Sequence, residues 1–365
     1  MGAACRQERR NSRPGAAKQR DARMTSGAAD PQRAASRWRA ARSWLMPWLT
    51  VGLITLCALH MAAMAAGYPV RPINMIVPFP PGGSTTIIAR IVADRLGQAL
   101  GQQIIVDNRG GAGGTIATRA GARAEPDGYT LLLGYTGTLA INPTLYENPG
   151  YDPRKDFAPI GRIATSPLLV LVKPDLPVHS IEQLIALAKQ QPGRIDYASA
   201  GNGTVGHVAA ELFATMAGIK LTHIPYKGTG AAVTDLLGGH VAMSMSPIAP
   251  VVGQVQTGAL RALAVTSAAR SPLFPEIPTV AESGLPGFEA ILRYGLVAPA
   301  GTPASIIDRL AAELHAVMTE EEVRTKLAVD GAEPAPSSSA EYAEDIDREA
   351  TKWSTIVRAS GAKVE

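Results

Sequence analysis

Short apolar runs alternate with amphipathic helical patterns along most of this chain, and this alternation restricts the fold more than any other feature. Asn74 to Pro78 is an apolar run, and Ser84 to Leu100 repeats apolar residues at spacings of three and four before Gly101, a helix-ending residue. The same pair of patterns recurs down to residue 358. Because this order is typical of parallel βαβ units, the sequence predicts an α/β fold.

The predicted elements are too many for one ordinary sheet. Further strands are predicted at 103–107, 129–134, 168–172, 194–198, 221–225, 241–244 and 260–266, and further helices from Ser180, from Thr302-Pro303 and over 338–358. We therefore expect two domains, each a doubly wound sheet flanked by helices. Domain 1 comprises 66–167 and 292–365, and domain 2 comprises 168–291. Two crossing strands, within 163–172 and 288–298, join them.

The first 65 residues have the order of a secretory signal peptide. Four arginines (Arg33, Arg37, Arg39 and Arg42) precede an apolar run from Trp48 to Leu59, and the small residues Ala63-Met64-Ala65 follow it. We predict cleavage after Ala65 and export to the periplasm. Met24 is an equally good start, so residues 1–23 need not be translated. The alternative is an uncleaved anchor, but the apolar run is shorter than the ~20 residues that span a bilayer.

Charge and cysteine positions exclude several classes of function. The formal charge is +4, but residues 1–65 hold 11 of the 35 basic residues and only 3 of the 31 acidic ones. Residues 66–365 are therefore mildly acidic, which removes the support for a nucleic-acid partner. Both cysteines, Cys5 and Cys57, lie in the leader. The exported part therefore has no disulfide, no thiolate nucleophile and no cysteine-bound metal.

Two glycine-rich turns, each between a predicted strand and a predicted helix, are the strongest candidates for a binding site. They run from Pro78 to Thr86 and from Tyr197 to His207. Glycine leaves backbone N–H groups uncovered, and a helix N-terminus carries partial positive charge, so each turn is a candidate anion seat. Two more segments, 134–142 and 225–231, reach the same edge of the predicted sheets. We expect these four loops to face one cleft.

Other chemistries remain as alternatives around the second turn. Gly201 to Gly206 matches the pattern G-x-G-x-x-G, but no acid follows about 20 residues later, which disfavours dinucleotide binding. Ser199, His207 and Glu211 have the residue types of a hydrolase triad, without a nucleophile elbow. Metal binding by His207, Glu211 and His223 lacks motif spacing. We predict no cofactor and no metal.

Single residues also have simpler interpretations. His207 and Glu211 are spaced as a surface pair on one helix face, Lys227 as a solvated charge, and Tyr226 as packed core with its hydroxyl satisfied. The glycines satisfy ordinary turn geometry. The residues alone do not choose between these interpretations and ligand contact.

An ordered set of segments resembles a known family over nearly the whole exported chain, from Tyr68 to about Gly361. The matching segments are Tyr68-Pro-Val-Arg-Pro72, Val77-Pro-Phe-Pro-Pro-Gly-Gly83, Val106-Asp-Asn-Arg109, Pro126-Asp-Gly-Tyr-Thr-Leu131, Ser199-Ala-Gly-Asn-Gly-Thr204 with His207, Ile224-Pro-Tyr-Lys-Gly228, Leu260-Arg-Ala-Leu-Ala-Val-Thr266 and Gly295-Leu-Val-Ala-Pro-Ala-Gly-Thr-Pro303. On these segments the chain resembles the Bug-type substrate-binding proteins of tripartite tricarboxylate transporters.

The resemblance implies a two-domain, type II-like periplasmic binding fold without enzyme activity. It implies a receptor that captures a small mono- or dicarboxylate and delivers it to integral membrane transporter subunits, and we expect a monomer. Carried over, the ligand contacts fall on Phe79, Gly82, Gly83, Ser84, Ser199, Gly203, Thr204 and His207, to which we add Tyr226 and Lys227. Alternatives are a sensor that presents its closed form to a membrane kinase and a hydrolase using Ser199 and His207.

The chain departs from the family pattern at two site positions. Thr86 stands where many members have Asp, the natural partner of a ligand amino group, which argues against an amino-acid ligand. Arg293 stands where members often have Trp. If Arg293 faces the cleft, it could pair with a second carboxylate, and otherwise it is a solvent-facing arginine.

Overall fold

The computed structural model describes residues 67–360, so the predicted signal peptide and its cleavage site after Ala65 lie outside the described residues. In chain order the described strands and helices are β1 (Ile73–Val77), α1 (Ser84–Leu100), β2 (Ile104–Asn108), α2 (Thr115–Ala122), β3 (Thr130–Tyr135), α3 (Asn142–Leu145), β4 (Phe157–Val172), α4 (Ile181–Gln190), β5 (Asp196–Ser199), α5 (Val205–Ala217), β6 (Thr222–Pro225), α6 (Thr229–Leu237), β7 (Met243–Pro247), α7 (Val252–Gln256), β8 (Arg261–Val265), β9 (Ile291–Pro299), α8 (Ala304–Thr319), α9 (Glu321–Val329), β10 (Glu333–Pro334) and α10 (Ser339–Ser360).

The strands form one continuous ten-stranded sheet in the order β2-β1-β3-β9-β4-β7-β5-β6, with β8 and β10 also paired to β4. The three strands at one end and the three at the other are parallel within each group. Helices connect them, as parallel pairing requires. The predicted α/β fold class is confirmed.

The long strand β4 links the two ends of the sheet. Its first part, Phe157 to Pro167, pairs antiparallel with β9, and its last five residues pair with β7 and β8. The predicted crossings at 163–172 and 288–298 therefore overlap β4 and β9. The boundaries of the two domains stay a prediction.

Burial on both faces explains why the end of β4 is uninterrupted apolar sequence. Leu168, Val170 and Val172 pack in the main core, whereas Leu169 and Leu171 pack in a second cluster with residues of α6. All five side chains are fully buried. A strand covered on both sides has no polar face, so its sequence does not alternate.

Helix α1 has the bounds that the sequence predicts. Ile88, Val92 and Leu96 form its buried face. The helix ends where Gly101 adopts a left-handed conformation with φ of 69° and its N–H bonds back to the Gln98 carbonyl. Glycine reaches this region without the steric penalty of a Cβ, which makes it the usual helix terminator.

A buried ion network fastens the last helix, α10, to β4 and β9. Asp345, whose side chain is 1% exposed, accepts from Arg162 Nη1 at 2.8 Å. Glu349 lies 3.0 Å from Arg293 Nη1 and accepts from Trp353 Nε1 at 2.9 Å. Loss of one member would leave a buried charge unpaired, which is strongly destabilising. None of the helices between residues 67 and 360 combines the length and hydropathy needed for a bilayer span.

Candidate functional site

A cavity of about 240 Å³ lies where the first turns of α1, α5 and α6 meet. These helices follow β1, β5 and β6, so their N-termini lie beyond the carboxyl ends of parallel strands. This is where open α/β sheets bind ligands. The helical residues and their caps on the cavity wall are Gly83, Ser84, Thr85, Thr204, Val205, Gly206, Gly228, Thr229, Gly230, Ala231 and Ala232.

None of the three helix N-termini is capped by a side chain. Their N-cap residues are Gly83, Thr204 and Gly228, and none of them makes a side-chain capping bond. Thr204 Oγ1 donates instead to the Gly201 carbonyl, at 2.8 Å. No acidic residue occupies the first turn of any of the three. First-turn N–H groups and three helix dipoles therefore offer positive potential to one cavity.

Hydroxyl groups and apolar walls complete the lining. Ser84 Oγ lies 2.9 Å from the hydroxyl of Tyr294, and burial raises the pKa of Tyr294 to about 12, so this hydroxyl is neutral at ordinary pH. The apolar side chains on the wall are Phe79, Pro80, Pro81, Leu168, Met245, Pro247 and Leu292. The cavity can therefore hold a molecule with a polar end and a short apolar body.

Among the described residues, Lys227 is the one ionisable cation on the cavity wall, and no acidic side chain lines it. Its side chain is exposed, and within residues 67–360 it makes no ion pair. An anion entering the cavity would meet this free ammonium group. An ammonium group on a ligand would find no carboxylate of this wall to pair with.

Two histidines support the second turn from behind by hydrogen bonds to its residues, and neither histidine lines the cavity. Ser199 Oγ lies 2.6 Å from Nε2 of His223 and accepts from the Gly201 N–H at 3.1 Å. The Gly203 N–H donates to His207 Nδ1 at 3.3 Å, and the two imidazole rings stack with centroids 4.2 Å apart. Burial lowers the pKa of His207 to about 4 and, with the charge of His207 as a second cause, that of His223 to about 3.

The structure brings some of the predicted site residues to the cavity and leaves others behind it. Phe79, Gly83, Ser84, Thr204 and Lys227 line the cavity. The predicted residues that do not line it are Gly82, Thr86, Ser199, Gly203, His207, Tyr226 and Arg293. That any of these twelve residues contacts a ligand remains a prediction.

Two of the residues outside the cavity stabilise loops. Thr86 Oγ1 accepts from Asn108 Nδ2 at 2.8 Å, and the same amide donates to the Phe79 carbonyl at 2.7 Å, which holds the first turn against β2. The Tyr226 hydroxyl donates to Asp235 at 2.6 Å. Both side chains are therefore already engaged.

Arg293 lies on the face of β9 opposite the cavity. Successive side chains of a strand point to opposite faces, and its neighbours Leu292 and Tyr294 both line the cavity. Arg293 is instead 3.0 Å from Glu349, with 19% of its side chain exposed. It therefore neither faces the cavity nor stands free in solvent, and pairing with a second carboxylate gains no support from its position.

The triad and metal alternatives are not assembled by the structure. Ser199 is bonded to His223 rather than to His207. Glu211 accepts from the Tyr197 hydroxyl at 2.5 Å, so the expected pair of Glu211 with His207 does not form. In the described part of the chain no group of three or more His, Cys, Asp or Glu residues could hold a metal ion.

Sequence reasoning missed several lining residues: Ser244, Met245, Ser246, Leu168, Leu292 and Tyr294. Thr229 also lines the cavity and lies in the predicted cleft segment 225–231, where glycines between a strand and a helix are the sequence signal. Ser244 and Tyr294 give no such signal. The predicted loop 134–142 contributes only Tyr135, because most of it coils into a π-helical turn over Gly137–Ile141.

Comparison with known proteins gives a consistent family. Residues 88–362 match the family described as Tripartite tricarboxylate transporter family receptor. The protein BugT of Bordetella pertussis is 40% identical over 299 residues, which cover 82% of this chain and 92% of BugT.

Two solved structures share both fold and sequence with this chain. Rpa4515 of R. palustris, solved with adipate, is 36% identical with a TM-score of 0.78, covering 80% of this chain and 98% of its own. The periplasmic binding protein BugD is 36% identical with a TM-score of 0.78, covering 82% and 100%. The family consists of solute-binding receptors and not of enzymes, which confirms the prediction on enzyme activity. The chain therefore belongs to the tripartite tricarboxylate transporter receptor family, whose Bug-type members are periplasmic solute-binding proteins.

Proposed function

We propose that this protein is a periplasmic receptor that captures a small carboxylate in the cavity and delivers it to the membrane subunits of a tripartite transporter. The observation that carries the proposal is the meeting of three uncapped helix N-termini at one cavity whose described lining has no acidic side chain. Backbone dipoles of this kind stabilise an anion without a buried full counter-charge. Release to a partner is therefore not opposed by a buried ion pair.

One carboxylate would sit at the N-termini of α1 and α5, near Gly83, Ser84 and Thr204. The hydroxyl of Ser84 is placed to donate to it. The apolar body would lie against Leu168, Met245 and Leu292. The cavity volume of about 240 Å³ suits a small ligand such as a short-chain acid.

A second carboxylate on the ligand would reach Lys227 at the exposed side of the cavity. A linear dicarboxylate has the two charged ends that this arrangement calls for, and the relative from R. palustris was solved with adipate. The leader, cleaved after Ala65, would direct the receptor to the periplasm. We expect it to act there as a monomer. Ligand that binds the closed form better than the open form would shift the two predicted domains towards closure around β4 and β9.

Titration calorimetry with three linear acids of similar length tests this proposal. Adipate carries two carboxylates, hexanoate carries one, and 6-aminohexanoate carries a carboxylate and an ammonium group. We expect adipate to bind most tightly, hexanoate more weakly, and 6-aminohexanoate weakest, because its ammonium group would meet Lys227 and no acid. Failure of every carboxylate with four to eight carbons, or tightest binding of 6-aminohexanoate, would reject the proposal.

The substitution Lys227→Met separates the two ends of the ligand. We expect the Kd for adipate to rise about five- to tenfold, since an exposed pair contributes roughly 1 kcal/mol, and the Kd for hexanoate to change less than twofold. Lys220→Met, at an exposed lysine that does not line the cavity, is the matched control. An equal loss for both acids would show that Lys227 does not recognise the second carboxylate.

Delivery to a transporter needs a separate test. Crosslinking of the adipate-loaded protein in native membranes should capture integral transporter subunits, and loading should raise the yield. Capture of a membrane kinase instead would favour the sensor alternative.

A further inference from the structure

Two glycine loops from opposite ends of the sheet touch each other beside the cavity. Gly113 follows β2, the first strand in the sheet order, and Gly203 follows β5, the last but one. A Cβ on Gly113 would overlap the carbonyl oxygen of Asn202, and a Cβ on Gly203 would overlap Oδ1 of Asn142. The contact is therefore reciprocal, because each glycine lies against an oxygen atom of a residue from the opposite part of the sheet.

Each glycine is held in place by its own side. The Gly113 carbonyl accepts from the Tyr135 hydroxyl at 2.9 Å and from Asn142 Nδ2 at 3.1 Å. The N–H of Gly203 donates to His207 Nδ1 at 3.3 Å. Both glycines also have positive φ, 57° and 78°. Each loop is therefore fixed to its own end of the sheet and cannot shift without breaking these bonds. The contact between the loops consequently depends on the relative position of the two ends of the sheet.

The polar groups of the contact give it little intrinsic strength. The Tyr146 hydroxyl donates to the Asn202 carbonyl at 3.3 Å, a long hydrogen bond. Asn142 is fully buried, and its Oδ1 has no hydrogen-bond partner among residues 67–360. Closing the contact therefore removes an amide oxygen from water and returns only a weak C–H contact with Gly203. The contact is therefore weak on its own, and a ligand in the adjacent cavity can add to its stability.

We propose that Gly113, Asn142, Tyr146, Asn202 and Gly203 form a glycine latch that sets the closed geometry of the receptor without touching the ligand. None of the five lines the cavity. The latch aligns the N-terminus of α5 opposite that of α1, because Gly203 immediately precedes the N-cap Thr204. Its members are positioning residues. The inference rests on the proposed function in one respect, namely that closure serves to hold a ligand. The contact itself requires no ligand.

The test compares Gly113→Ala and Gly203→Ala with Gly218→Ala in the purified protein without ligand. Gly218 has a φ of 62°, and no atom lies within 4 Å of the position that its Cβ would take, so its substitution brings the same backbone strain without a collision. We expect amide hydrogen exchange in loops 111–114 and 201–204 to rise about tenfold in the two latch variants. Small-angle scattering should show a larger radius of gyration. Gly218→Ala should change neither measurement.

Tyr146→Phe keeps the test decisive where the alanine variants fail to fold. It removes only the hydroxyl that reaches Asn202, and we expect exchange in the 201–204 loop to rise about two- to fivefold. With adipate as the probe, the latch variants should release ligand faster while their association rates change little.

Two results would overturn the latch: exchange in both loops equal to the unsubstituted protein, or the same increase in Gly218→Ala as in Gly113→Ala. Failure of the proposed function is distinguishable from failure of the latch. If no carboxylate binds but the exchange difference appears, the latch stands and the carboxylate proposal falls. If adipate binds and exchange is unaltered, the reverse holds.

Discussion

The two glycine-rich turns at the cavity, 78–84 and 199–204, share a sequence pattern but differ in construction. Both follow a strand, and both open a helix whose N-terminus is uncapped. The first contains no ionisable side chain and directs Ser84 to the cavity. The second rests on two stacked histidines, and its Ser199 is bonded to His223 behind the cavity. The two turns therefore share backbone amides at a helix N-terminus. Their serine hydroxyls differ, because that of Ser84 faces the cavity and that of Ser199 does not.

The register of β5 with β6 explains the difference. Tyr197 pairs with His223 across these strands, and the two rings stack with centroids 4.8 Å apart. Ser199 lies two residues after Tyr197 and therefore on the same face of the strand, within reach of the His223 ring. In the first turn, Ser84 instead begins α1 and lies on the cavity wall, where its hydroxyl meets that of Tyr294.

The largest effect is expected from filling the first turn with a side chain. Gly83 has φ of −101°, which valine can adopt, and a Cβ there would lie 3.6 Å from Thr229 Oγ1. Gly83→Val should project methyl groups between α1 and α6 and weaken adipate binding about 100-fold, or about 2.7 kcal/mol, with little change in melting temperature. Calorimetry and thermal unfolding measure the two quantities.

Gly253→Val is the matched control, since no atom lies within 4 Å of a Cβ at that position. It should leave binding unchanged. If Gly83→Val kept its affinity for adipate, the first turn would not be part of the anion seat, and the comparison of the two turns would fail.

Acid should distinguish the turns next, because only the second rests on histidines. Burial holds the pKa of His207 at about 4 and that of His223 at about 3, below the ordinary value of 6.5. As pH falls below about 6.5, the unfolded chain takes up protons that the folded chain does not. Stability is therefore complete above that pH and is lost towards pH 4, by up to about 1.4 kcal/mol per pH unit for each histidine.

Urea unfolding between pH 7 and 4.5 measures this slope. The double substitution His207→Gln with His223→Gln should flatten it, since glutamine offers hydrogen-bonding groups without titrating in this range. An unchanged slope in the double variant would place the acid sensitivity elsewhere in the molecule.

The smallest effect is expected from exchanging the two serines for alanine. Ser84→Ala should weaken adipate binding about fivefold, because a hydroxyl that faces the ligand is lost, and should lower the free energy of unfolding by about 1 kcal/mol, because the buried Tyr294 hydroxyl loses its partner. Ser199→Ala should leave Nε2 of His223 without its bond and lower the free energy of unfolding by about 1 kcal/mol, with affinity nearly unchanged. Calorimetry of both variants separates them, since a loss of affinity in Ser199→Ala and none in Ser84→Ala would reverse the assignment.

Local patterns in the chain were sufficient for the elements and for the turns. The apolar spacing from Ser84 to Leu100 and the stop at Gly101 predict α1 with its observed bounds, because helix periodicity and left-handed glycine are local properties. The glycine-rich turns, and hence the candidate anion seats, could be recognised for the same reason. The family resemblance agrees with the family match over residues 88–362.

Which side chains reach the cavity was decided only by the tertiary structure. Arg293 and Tyr294 are adjacent in sequence, but the pleat of β9 places one against Glu349 and the other against Ser84. Ser199 meets His223 through the pairing of β5 with β6, and Gly113 meets Asn202 because the sheet brings its two ends together. Sequence by itself determined the backbone features of this protein, since these depend on neighbouring residues. Side-chain direction depends on strand register and on contacts between distant segments, which no local pattern contains.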